Sequence, residues 1–273
     1  MNNLFSIEGK VAIVTGGSRG LGEMIAHGLI QSGAKTYITA RNEAELKTTA
    51  KALTDLCTTN QMVECIPIVA DLSSIEGIGN FANTMKEKED KIDILVNNAG
   101  AAWGESFDTF PEIGWDKVMD LNAKAPFFII QQLLPLLKAS GTKVDPARVI
   151  NIASINALSH PRTTNYSYAA SKAAVIQMTR HLAGDLVKEH ININAIAPGF
   201  FLSKMTKHAV QNTDVDTFAK EMVPMERLGN EDDIAGSVIY LSAKASSWVT
   251  GHTLVLDGGV IAKSGYGDYN AFV

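Results

Sequence analysis

Tyr168 and Lys172 are the two residues of this sequence whose types and spacing most favour chemistry. Residues four apart lie on one face of an α-helix, one turn from each other. A free tyrosine has a pKa of about 10, and a neighbouring ammonium group lowers that value by favouring the phenolate. The pair is therefore a candidate acid and base near neutral pH. A solvated helix face gives the same spacing by chance, so the interpretation depends on other features of the chain.

A glycine-rich turn follows the first apolar run of the chain, residues 11–14, which is typical of a strand buried on both faces. Residues 15–22 have the spacing G-x-x-x-G-x-G and lead into a helical pattern. A strand, a glycine turn and a helix form the start of a dinucleotide-binding unit, although many such turns bind nothing. Gly16 would allow the tight turn, and Gly20 and Gly22 would let the backbone approach a pyrophosphate. The predicted cofactor contacts in this turn are Gly16, Ser18, Arg19, Gly20, Leu21 and Gly22.

The residues after the second predicted strand, residues 36–39, indicate which dinucleotide would bind. An acid at this strand end would accept a hydrogen bond from the ribose 2′-hydroxyl of NAD, whereas an arginine would pair with the 2′-phosphate of NADP. Arg41 and Asn42 hold the place, and Arg19 adds a second guanidinium group in the glycine turn. Guanidinium groups clamp phosphates with parallel hydrogen bonds. The pattern favours NADP(H); the alternative is that both arginines are surface charges.

Polar and small residues follow two further predicted strands, residues 62–69 and 92–96. A carboxylate after the first of these could accept a hydrogen bond from an adenine amino group, or it could lie in the N-cap region of the next helix. Small residues after the second would let the backbone lie close to a cofactor, and an asparagine there could instead fix a turn. The candidate cofactor contacts at these strand ends are Asp71, Leu72, Asn98, Ala99 and Gly100.

Strands alternate with helices along the chain, which predicts a parallel sheet with helices on both faces. We expect one Rossmann-type, doubly wound α/β sheet of about seven strands, in a single domain over residues 1–273. A long helix is predicted over residues 115–139, with two prolines interrupting it and with Asn122 inside it, where this polar residue could kink the helix. Residues 200–230 are predicted to be a lid or binding loop with some helix of its own. Residues 263–273 are predicted to be a frayed or docked tail.

Composition argues against several classes of function. The net charge of −5 gives no electrostatic support for nucleic-acid binding, and no apolar run approaches the length of a membrane span. The first ten residues lack an apolar run of signal-peptide length, and the two cysteines indicate no disulfide framework. A cytoplasmic protein is therefore expected. The histidines have no ligand spacing with acids or cysteines, so no catalytic metal is predicted.

Together, in their order and spacing, the motifs resemble those of the short-chain dehydrogenases/reductases, from residue 10 to about residue 259. Within that family the chain resembles the bacterial NADPH-dependent β-ketoacyl reductases, through residues 114–119, 130–137 and 146–152. The residues that carry the wider resemblance are Thr15, Gly16, Gly20, Gly22, Asn97, Asn98, Ala99, Gly100, Asn122, Ser154, Tyr168, Lys172, Pro198 and Gly199.

The resemblance implies catalytic roles for four residues. Tyr168 would donate its proton to a ketone oxygen as hydride arrives from the nicotinamide, and Ser154 would donate a second hydrogen bond to that oxygen. Lys172 would lower the pKa of Tyr168 and hold the nicotinamide ribose. Asn122 would position a water molecule that links Lys172 to solvent. Further cofactor contacts would come from Pro198, Gly199, Phe201 and Ser203.

The substrate implied by the resemblance is a lipophilic ketone, in particular a β-ketoacyl thioester. The alternatives are an enzyme of the same fold acting on a steroid, a sugar or a small ketone, and a non-enzymatic NADP(H) sensor. Tyr166 has Ala170 rather than a lysine four residues on, and it is assigned to the cleft wall. The predicted substrate contacts are Trp103, Ser154, Asn156, Tyr168 and Phe200.

The resemblance also implies a homotetramer, packed through the helices that carry Asn122 and Tyr168. The apolar run of residues 127–137 fits such an interface, but a helix facing the core of one subunit would look the same.

Overall fold

Parallel strands form the sheet at the centre of the computed structural model, which describes residues 4–57, 63–161, 163–202 and 214–263. These residues contain seven strands: β1 (Val11–Thr15), β2 (Lys35–Ala40), β3 (Cys65–Val69), β4 (Ile94–Asn97), β5 (Ala147–Ile152), β6 (Ile191–Pro198) and β7 (Thr253–Leu256). Their order across the sheet is β3-β2-β1-β4-β5-β6-β7, and every neighbouring pair is parallel.

Helices connect the strands and cover both faces of the sheet. Several begin at a side-chain cap that accepts a hydrogen bond from the first turn, as Asn42 and Ser74 do for the second and third helices. The described helices are α1 (Gly20–Gln31), α2 (Glu43–Asp55), α3 (Ile75–Lys88), α4 (Glu112–Met119), α5 (Ala125–Ser140), α6 (Tyr166–Leu186), α7 (Val215–Met222) and α8 (Glu231–Ser242).

Alternate residues of β1 face hydrophobic cores on opposite sides of the sheet. Ala12 and Val14 of β1 pack with α1, α2 and α8 on one side of the sheet. Val11 and Ile13 pack with α3 and α5 on the other side. A strand buried on both faces reads as a continuous apolar run, which is why β1 could be recognised in the sequence. The two helical layers cover the sheet. Because all its strands are parallel, their carboxyl ends lie along one edge.

The strand order reverses at β1, which lies between β2 and β4. Successive connections leave a sheet in opposite directions at such a point, and a crevice opens outside the carboxyl ends of the strands. The loops after β1, β2, β4, β5 and β6 meet there.

The predicted fold class is confirmed, and so is the kink expected at Asn122, whereas the interruptions expected at the two prolines were predicted wrongly. Pro126 lies in the first turn of α5, where the missing N–H costs no hydrogen bond, and the helix continues through Pro135. The helix is broken instead by a π turn at Asp120–Lys124. Turns of this kind hold one extra residue and occur frequently at functional sites.

Parts of other predicted segments lie outside the described residues. β3 begins at Cys65, and Met62, where it was expected to begin, is not among them. Residues 200–202 and 214–230 of the expected lid are described and contain α7, while residues 264–273 of the expected tail are not described. No helix in the described part of the chain combines the length and apolarity needed to cross a membrane.

Candidate active site

A cleft of about 870 Å³ opens where the loops at the carboxyl ends of the strands meet. Three of the four predicted catalytic residues, Ser154, Tyr168 and Lys172, line it. Ser203, another predicted contact, lies outside the described residues. The predicted cofactor contacts that line the cleft are Gly16, Ser18, Arg19, Gly20, Leu21, Gly22, Arg41, Asn42, Asp71, Leu72, Asn98, Ala99, Gly100, Tyr168, Lys172, Pro198, Gly199 and Phe201.

Close backbone contacts shape the glycine turn after β1. Gly16 has a φ of 67°, a left-handed conformation that glycine adopts readily. A Cβ on Gly16 would lie 2.9 Å from the Cα of Ala99. A Cβ on Gly22 would overlap the Gly16 carbonyl, so Gly22 allows α1 to pack against the turn. The turn therefore presents its backbone and the N-terminus of α1 to the cleft, an arrangement that favours an anion.

Thr15 and Asn98 fasten the end of β1 to the end of β4. The Thr15 hydroxyl accepts hydrogen bonds from the backbone N–H groups of Asn98 and Ala99, at 2.9 and 3.0 Å. The Asn98 side chain donates to the carbonyl groups of Thr15 and Gly16, at 2.9 and 3.1 Å. The side chain of Asn98 thus fixes the turn, which was the structural alternative, while the residue still lines the cleft.

Two arginines and an unpartnered hydroxyl lie at the cleft end after β2. Arg41 is exposed and forms no ion pair with another described residue. The Nη1 atom of Arg19 lies 3.4 Å from Glu45 Oε2. Thr39, at the end of β2, lines the cleft and has a buried hydroxyl with no hydrogen-bond partner among the described residues. Guanidinium groups and a spare hydroxyl at one end of a cleft suit a phosphorylated ribose.

Asp71 provides a carboxylate at the same end, after β3. Its Oδ1 accepts hydrogen bonds from the backbone and the hydroxyl of Ser73, at 3.0 and 2.7 Å. These bonds, with a smaller contribution from Arg41, lower the pKa of Asp71. The N-cap of α3 is Ser74, whose hydroxyl accepts from the N–H of Gly77 at 3.1 Å. Asp71 is therefore ionised, lines the cleft, and does not itself cap the helix.

Ser154 and Tyr168 both line the cleft, and the Ser154 hydroxyl acts on the phenol of Tyr168. Ser154 follows β5, and Tyr168 lies in the first turn of α6. The Ser154 hydroxyl also accepts from the backbone N–H of Asn156, at 3.2 Å, in the short turn Ile155–Ala157. Burial raises the pKa of Tyr168, and the neighbouring Ser154 hydroxyl offsets this only in part. Tyr168 therefore holds its proton at neutral pH and releases it to an oxygen that is gaining negative charge.

Lys172 lies one turn after Tyr168 on α6, but it does not have the predicted effect on the phenol. Its Nζ lies 5.7 Å from the centroid of the Tyr168 ring and donates to the Ile152 carbonyl at 2.6 Å. Burial of the side chain lowers the pKa of Lys172 to about 8. The prediction that Lys172 lowers the pKa of Tyr168 is corrected, because burial dominates and raises it. Lys172 itself is the group that titrates close to neutral pH.

Asn122 lies in the π turn and joins two segments beside the cleft. Its Oδ1 accepts from the N–H of Ala101 at 2.8 Å, and its Nδ2 donates to the Ala101 carbonyl at 2.9 Å and to the Ser171 hydroxyl at 3.0 Å. The side chain is 1% exposed. Its amide is thus held by protein groups, and the expectation that Asn122 also positions a water molecule stays a prediction. Asn122 fixes the loop after β4 against α6.

Several predicted substrate contacts lie outside the lining of this cleft. Trp103 packs on α4, where a Cβ on Gly114 would lie 2.7 Å from its ring. Phe200 stacks edge-to-face on Phe218, with ring centroids 5.3 Å apart. Asn156 contacts Ser154 through its backbone N–H, which donates to the Ser154 hydroxyl. Tyr166 belongs to an exposed aromatic cluster rather than to the cleft wall. Trp103, Asn156 and Phe200 do not line the cleft, and their contact with substrate stays a prediction.

Some residues line the cleft without having been predicted to do so. All but Glu45 lie within two positions of a predicted residue, so proximity in sequence was the available signal. Glu45 is different, because it enters from the first turn of α2, four residues after Arg41. The unpredicted lining residues are Thr39, Ala40, Glu45, Ala70, Leu121, Ile152 and Ala153.

Metal binding finds no support in the part of the chain that the structure describes. No group of three or more histidine, cysteine, aspartate or glutamate side chains is arranged there to hold an ion.

Comparison with known proteins identifies the family. A family model described as enoyl-(acyl carrier protein) reductase matches residues 16–261. The chain belongs to the short-chain dehydrogenase/reductase family. This confirms the resemblance that the motifs indicated.

Individual members of the family are similar over almost the whole chain. The chain is 43% identical to the rhamnolipids biosynthesis 3-oxoacyl-(acyl-carrier-protein) reductase of Pseudomonas aeruginosa, over 95% of this chain and 99% of that protein. It is 36% identical to the 2-dehydro-3-deoxy-D-gluconate 5-dehydrogenase of Escherichia coli, over 95% and 98%. The solved RhlG/NADP active-site complex of Pseudomonas aeruginosa matches with a TM-score of 0.89 at 43% identity, over 95% of this chain and 99% of that one. The narrower likeness to bacterial β-ketoacyl reductases is thereby confirmed.

Proposed function

We propose that this protein is an NADPH-dependent ketoreductase, acting on a β-ketoacyl thioester to give the hydroxyacyl product. The observation that carries the proposal is that Ser154, Tyr168 and Lys172 line the same cleft as the glycine turn and two arginines. The 43% identity to a 3-oxoacyl-(acyl-carrier-protein) reductase supports the choice of substrate.

NADP(H) fits the residues that line the cleft. The pyrophosphate would lie on the glycine turn, where a Cβ on Gly16 would collide with Ala99. Arg19 and Arg41 would hold the 2′-phosphate, and Lys172 the nicotinamide ribose. The similar Pseudomonas aeruginosa structure is a complex with NADP, which supports this choice of cofactor. When bound, NADPH supplies the hydride.

The residues of the chain supply the proton and stabilise the developing charge. Tyr168 gives its phenolic proton to the ketone oxygen as that oxygen becomes negative, and its raised pKa keeps the proton available at neutral pH. Ser154, held by the N–H of Asn156, donates a second hydrogen bond to the same oxygen. Lys172, with a pKa of about 8, can exchange protons with solvent near neutral pH and so restore the phenol. Asn122 is a positioning residue that fixes Ala101 and Ser171.

A sugar acid is the second candidate substrate. The observation that favours it is the 36% identity to a 2-dehydro-3-deoxy-D-gluconate 5-dehydrogenase. Leu121, Ile152 and Phe201 give the cleft an apolar portion, which suits an acyl chain better than a polyol. A non-enzymatic NADP(H) sensor would have no chemical use for the Ser154–Tyr168 pair.

The deciding experiment is a steady-state assay of the purified protein with a panel of ketones. The panel contains acetoacetyl-CoA, longer β-ketoacyl thioesters on coenzyme A and on acyl-carrier protein, keto-sugar acids and simple ketones, each with NADPH and with NADH. We expect the highest kcat/KM for β-ketoacyl thioesters with NADPH. A keto-sugar acid that outperforms every thioester would replace the proposed substrate, and absence of turnover across the panel would favour the sensor.

We further propose that residues 1–273 act as a single domain in a cytoplasmic homotetramer. In α5, Ile129, Ile130 and Leu133 are at most 2% exposed and belong to the core, whereas Phe127 remains 39% exposed. Phe127 and its partly buried neighbour Phe128 are the apolar groups that a partner subunit could cover. Light scattering that gives the mass of a monomer would contradict the tetramer.

A further inference from the structure

A carboxylate lies among the arginines at the cleft end after β2. The Oε2 atom of Glu45 is 3.4 Å from Arg19 Nη1, and Glu45 lines the cleft together with Arg41. The backbone of Glu45 is fixed, because its N–H donates to Asn42 Oδ1 at 3.1 Å. The Glu45 side chain is 28% exposed and that of Arg19 is 60% exposed. The carboxylate therefore has the better-defined position of the two charged groups.

The negative charge of Glu45 contributes to a raised pKa of a neighbouring carboxyl group. Glu23, in the first turn of α1, has a raised pKa, chiefly because of its burial and further because Glu231 and Glu45 lie nearby. A phosphate monoester carries a charge of about −1.5 to −2 at pH 7. A 2′-phosphate that reached Arg19 would meet the same carboxylate and would be repelled by it. An unphosphorylated ribose would carry no charge at this place.

Glu45 could instead strengthen binding of the 2′-phosphate, by holding Arg19 in an orientation that suits the phosphate. The observed ion pair argues against a large effect of this kind. Its charged groups lie 3.4 Å apart and the guanidinium group is mostly exposed, and such pairs order their partners weakly. Arg41 provides a second guanidinium group with no ion-pair partner among the described residues, so phosphate binding does not depend on the ordering of Arg19 alone.

We propose that Glu45 is a specificity-determining residue that limits the preference of this enzyme for NADP(H) over NAD(H), by competing with the 2′-phosphate for Arg19. The inference rests on the proposed function, because it assumes that a nicotinamide dinucleotide occupies the cleft. Replacing Glu45 by glutamine keeps the shape of the side chain and the backbone cap and removes only the charge. The Glu45→Gln variant should bind NADP⁺ about 3- to 30-fold more tightly and NAD⁺ about as well as the wild type.

The test is isothermal titration calorimetry of the wild type and the variant with NADP⁺, NAD⁺, adenosine 2′,5′-bisphosphate and adenosine 5′-monophosphate. The matched control is Glu43→Gln, two residues earlier on α2. Glu43 pairs with Lys47 at 2.6 Å, and it is not among the residues that line the cleft. We expect tighter binding only for the two ligands with a 2′-phosphate, only in Glu45→Gln, and less of it at high salt.

Several results would overturn the proposal. Weaker NADP⁺ binding in Glu45→Gln would mean that the carboxylate orders Arg19 for the phosphate. Equal changes for NADP⁺ and NAD⁺, or no change for either, would remove Glu45 as a determinant of specificity. A wild-type protein that bound neither dinucleotide would instead refute the proposed function, so the two failures can be told apart.

Discussion

The protonation states of Tyr168 and Lys172 follow from burial more than from their mutual contact. Burial raises the pKa of the phenol and lowers the pKa of the ammonium group, to about 8 for Lys172. Both shifts favour the neutral forms, as expected for groups removed from water. In a reductase this arrangement keeps Tyr168 protonated, and it lets Lys172 gain or lose a proton close to neutral pH.

Replacing Tyr168 by phenylalanine should remove the acid and leave the ring. We expect kcat for ketone reduction to fall about 10²- to 10⁴-fold, the usual value of a positioned proton donor. Tyr166→Phe is the matched control, because Tyr166 packs against Phe107 and Phe110 in the exposed cluster and does not line the cleft. Steady-state kinetics with NADPH would measure both. Near-normal turnover in Tyr168→Phe would eliminate the proposed donor.

Lys172 should make stability depend on pH in the alkaline range. Its folded-state pKa of about 8 lies below the ordinary value near 10.4, so the unfolded chain binds more protons between these limits and stability rises with pH there. Relative to Lys172→Met, the wild type should gain up to about 3 kcal/mol between pH 7 and pH 10.5. Urea unfolding of both proteins across this range measures the gain. A constant difference would show that burial does not shift the pKa of Lys172.

At the scale of secondary-structure elements, a buried row of polar side chains connects β4, β5 and α6. Asn97 Nδ2 donates to Asn151 Oδ1 at 2.9 Å, and Asn151 Nδ2 donates to Thr179 Oγ1 at 2.9 Å. Thr179 in turn donates to the Val175 carbonyl at 2.8 Å. Each of the three linked side chains is at most 3% exposed. The row fixes the helix that carries Tyr168 to the strand that precedes Ser154.

Removing the Thr179 hydroxyl should therefore destabilise the protein. Thr179→Val leaves Asn151 Nδ2 buried without an acceptor, which costs about 1–3 kcal/mol. Thr48→Val is the control, because Thr48 makes the same type of bond, to the Ala44 carbonyl at 2.9 Å, on an exposed face of α2. The control should stay within about 0.5 kcal/mol of the wild type in urea unfolding. Equal effects of the two substitutions would mean that the buried row contributes nothing beyond the helix.

The sequence predicted the features of the fold that depend on local residue patterns and on the order of motifs along the chain. Apolar runs predicted the strands, and the resemblance to the short-chain dehydrogenases/reductases placed Ser154, Tyr168 and the glycine turn in one site. It could not give the direction of Trp103, whose ring packs on α4, because that depends on the glycine at position 114. A kink at Asn122 was predicted, but its π geometry was not, because that depends on where Asn122 finds partners, in Ala101 and Ser171, away from it in the chain.

The electrostatics of the site could not be predicted either, for a related reason. A shift in pKa depends on how much water a folded group retains, which neighbouring residues in sequence do not determine. The spacing of Tyr168 and Lys172 indicated a strong mutual effect, yet Lys172 Nζ is directed to the Ile152 carbonyl. Glu45 was missed because it lies 26 positions after Arg19 in the sequence. Only the packing of α2 brings the two charges together.

At the scale of the whole molecule, a buried carboxylate stabilises the fold at the amino ends of the strands, opposite the cleft. Asp93, just before β4, is 5% exposed. Its carboxylate accepts from the N–H of Val11 at 2.8 Å and from the hydroxyl of Ser140, and it pairs with Lys91 at 3.2 Å. It thereby joins β1, β4 and the end of α5. Burial raises the pKa of Asp93, but these hydrogen bonds outweigh burial, and the pKa lies below its ordinary value.

Asp93 should consequently contribute to acid unfolding without affecting catalysis. A lowered folded-state pKa means that its contribution is present above the unfolded value of about 3.9 and is lost as pH falls through the folded value. Asp93→Asn should cost about 1–3 kcal/mol at pH 7, and its difference from the wild type should narrow below about pH 4. The control is Asp55→Asn, on the exposed i,i+4 pair with Lys51, where little change is expected. Chemical unfolding from about pH 7 to about pH 3 tests this. A difference that does not vary with pH would mean that the loss is one of packing and not of the ionised carboxylate.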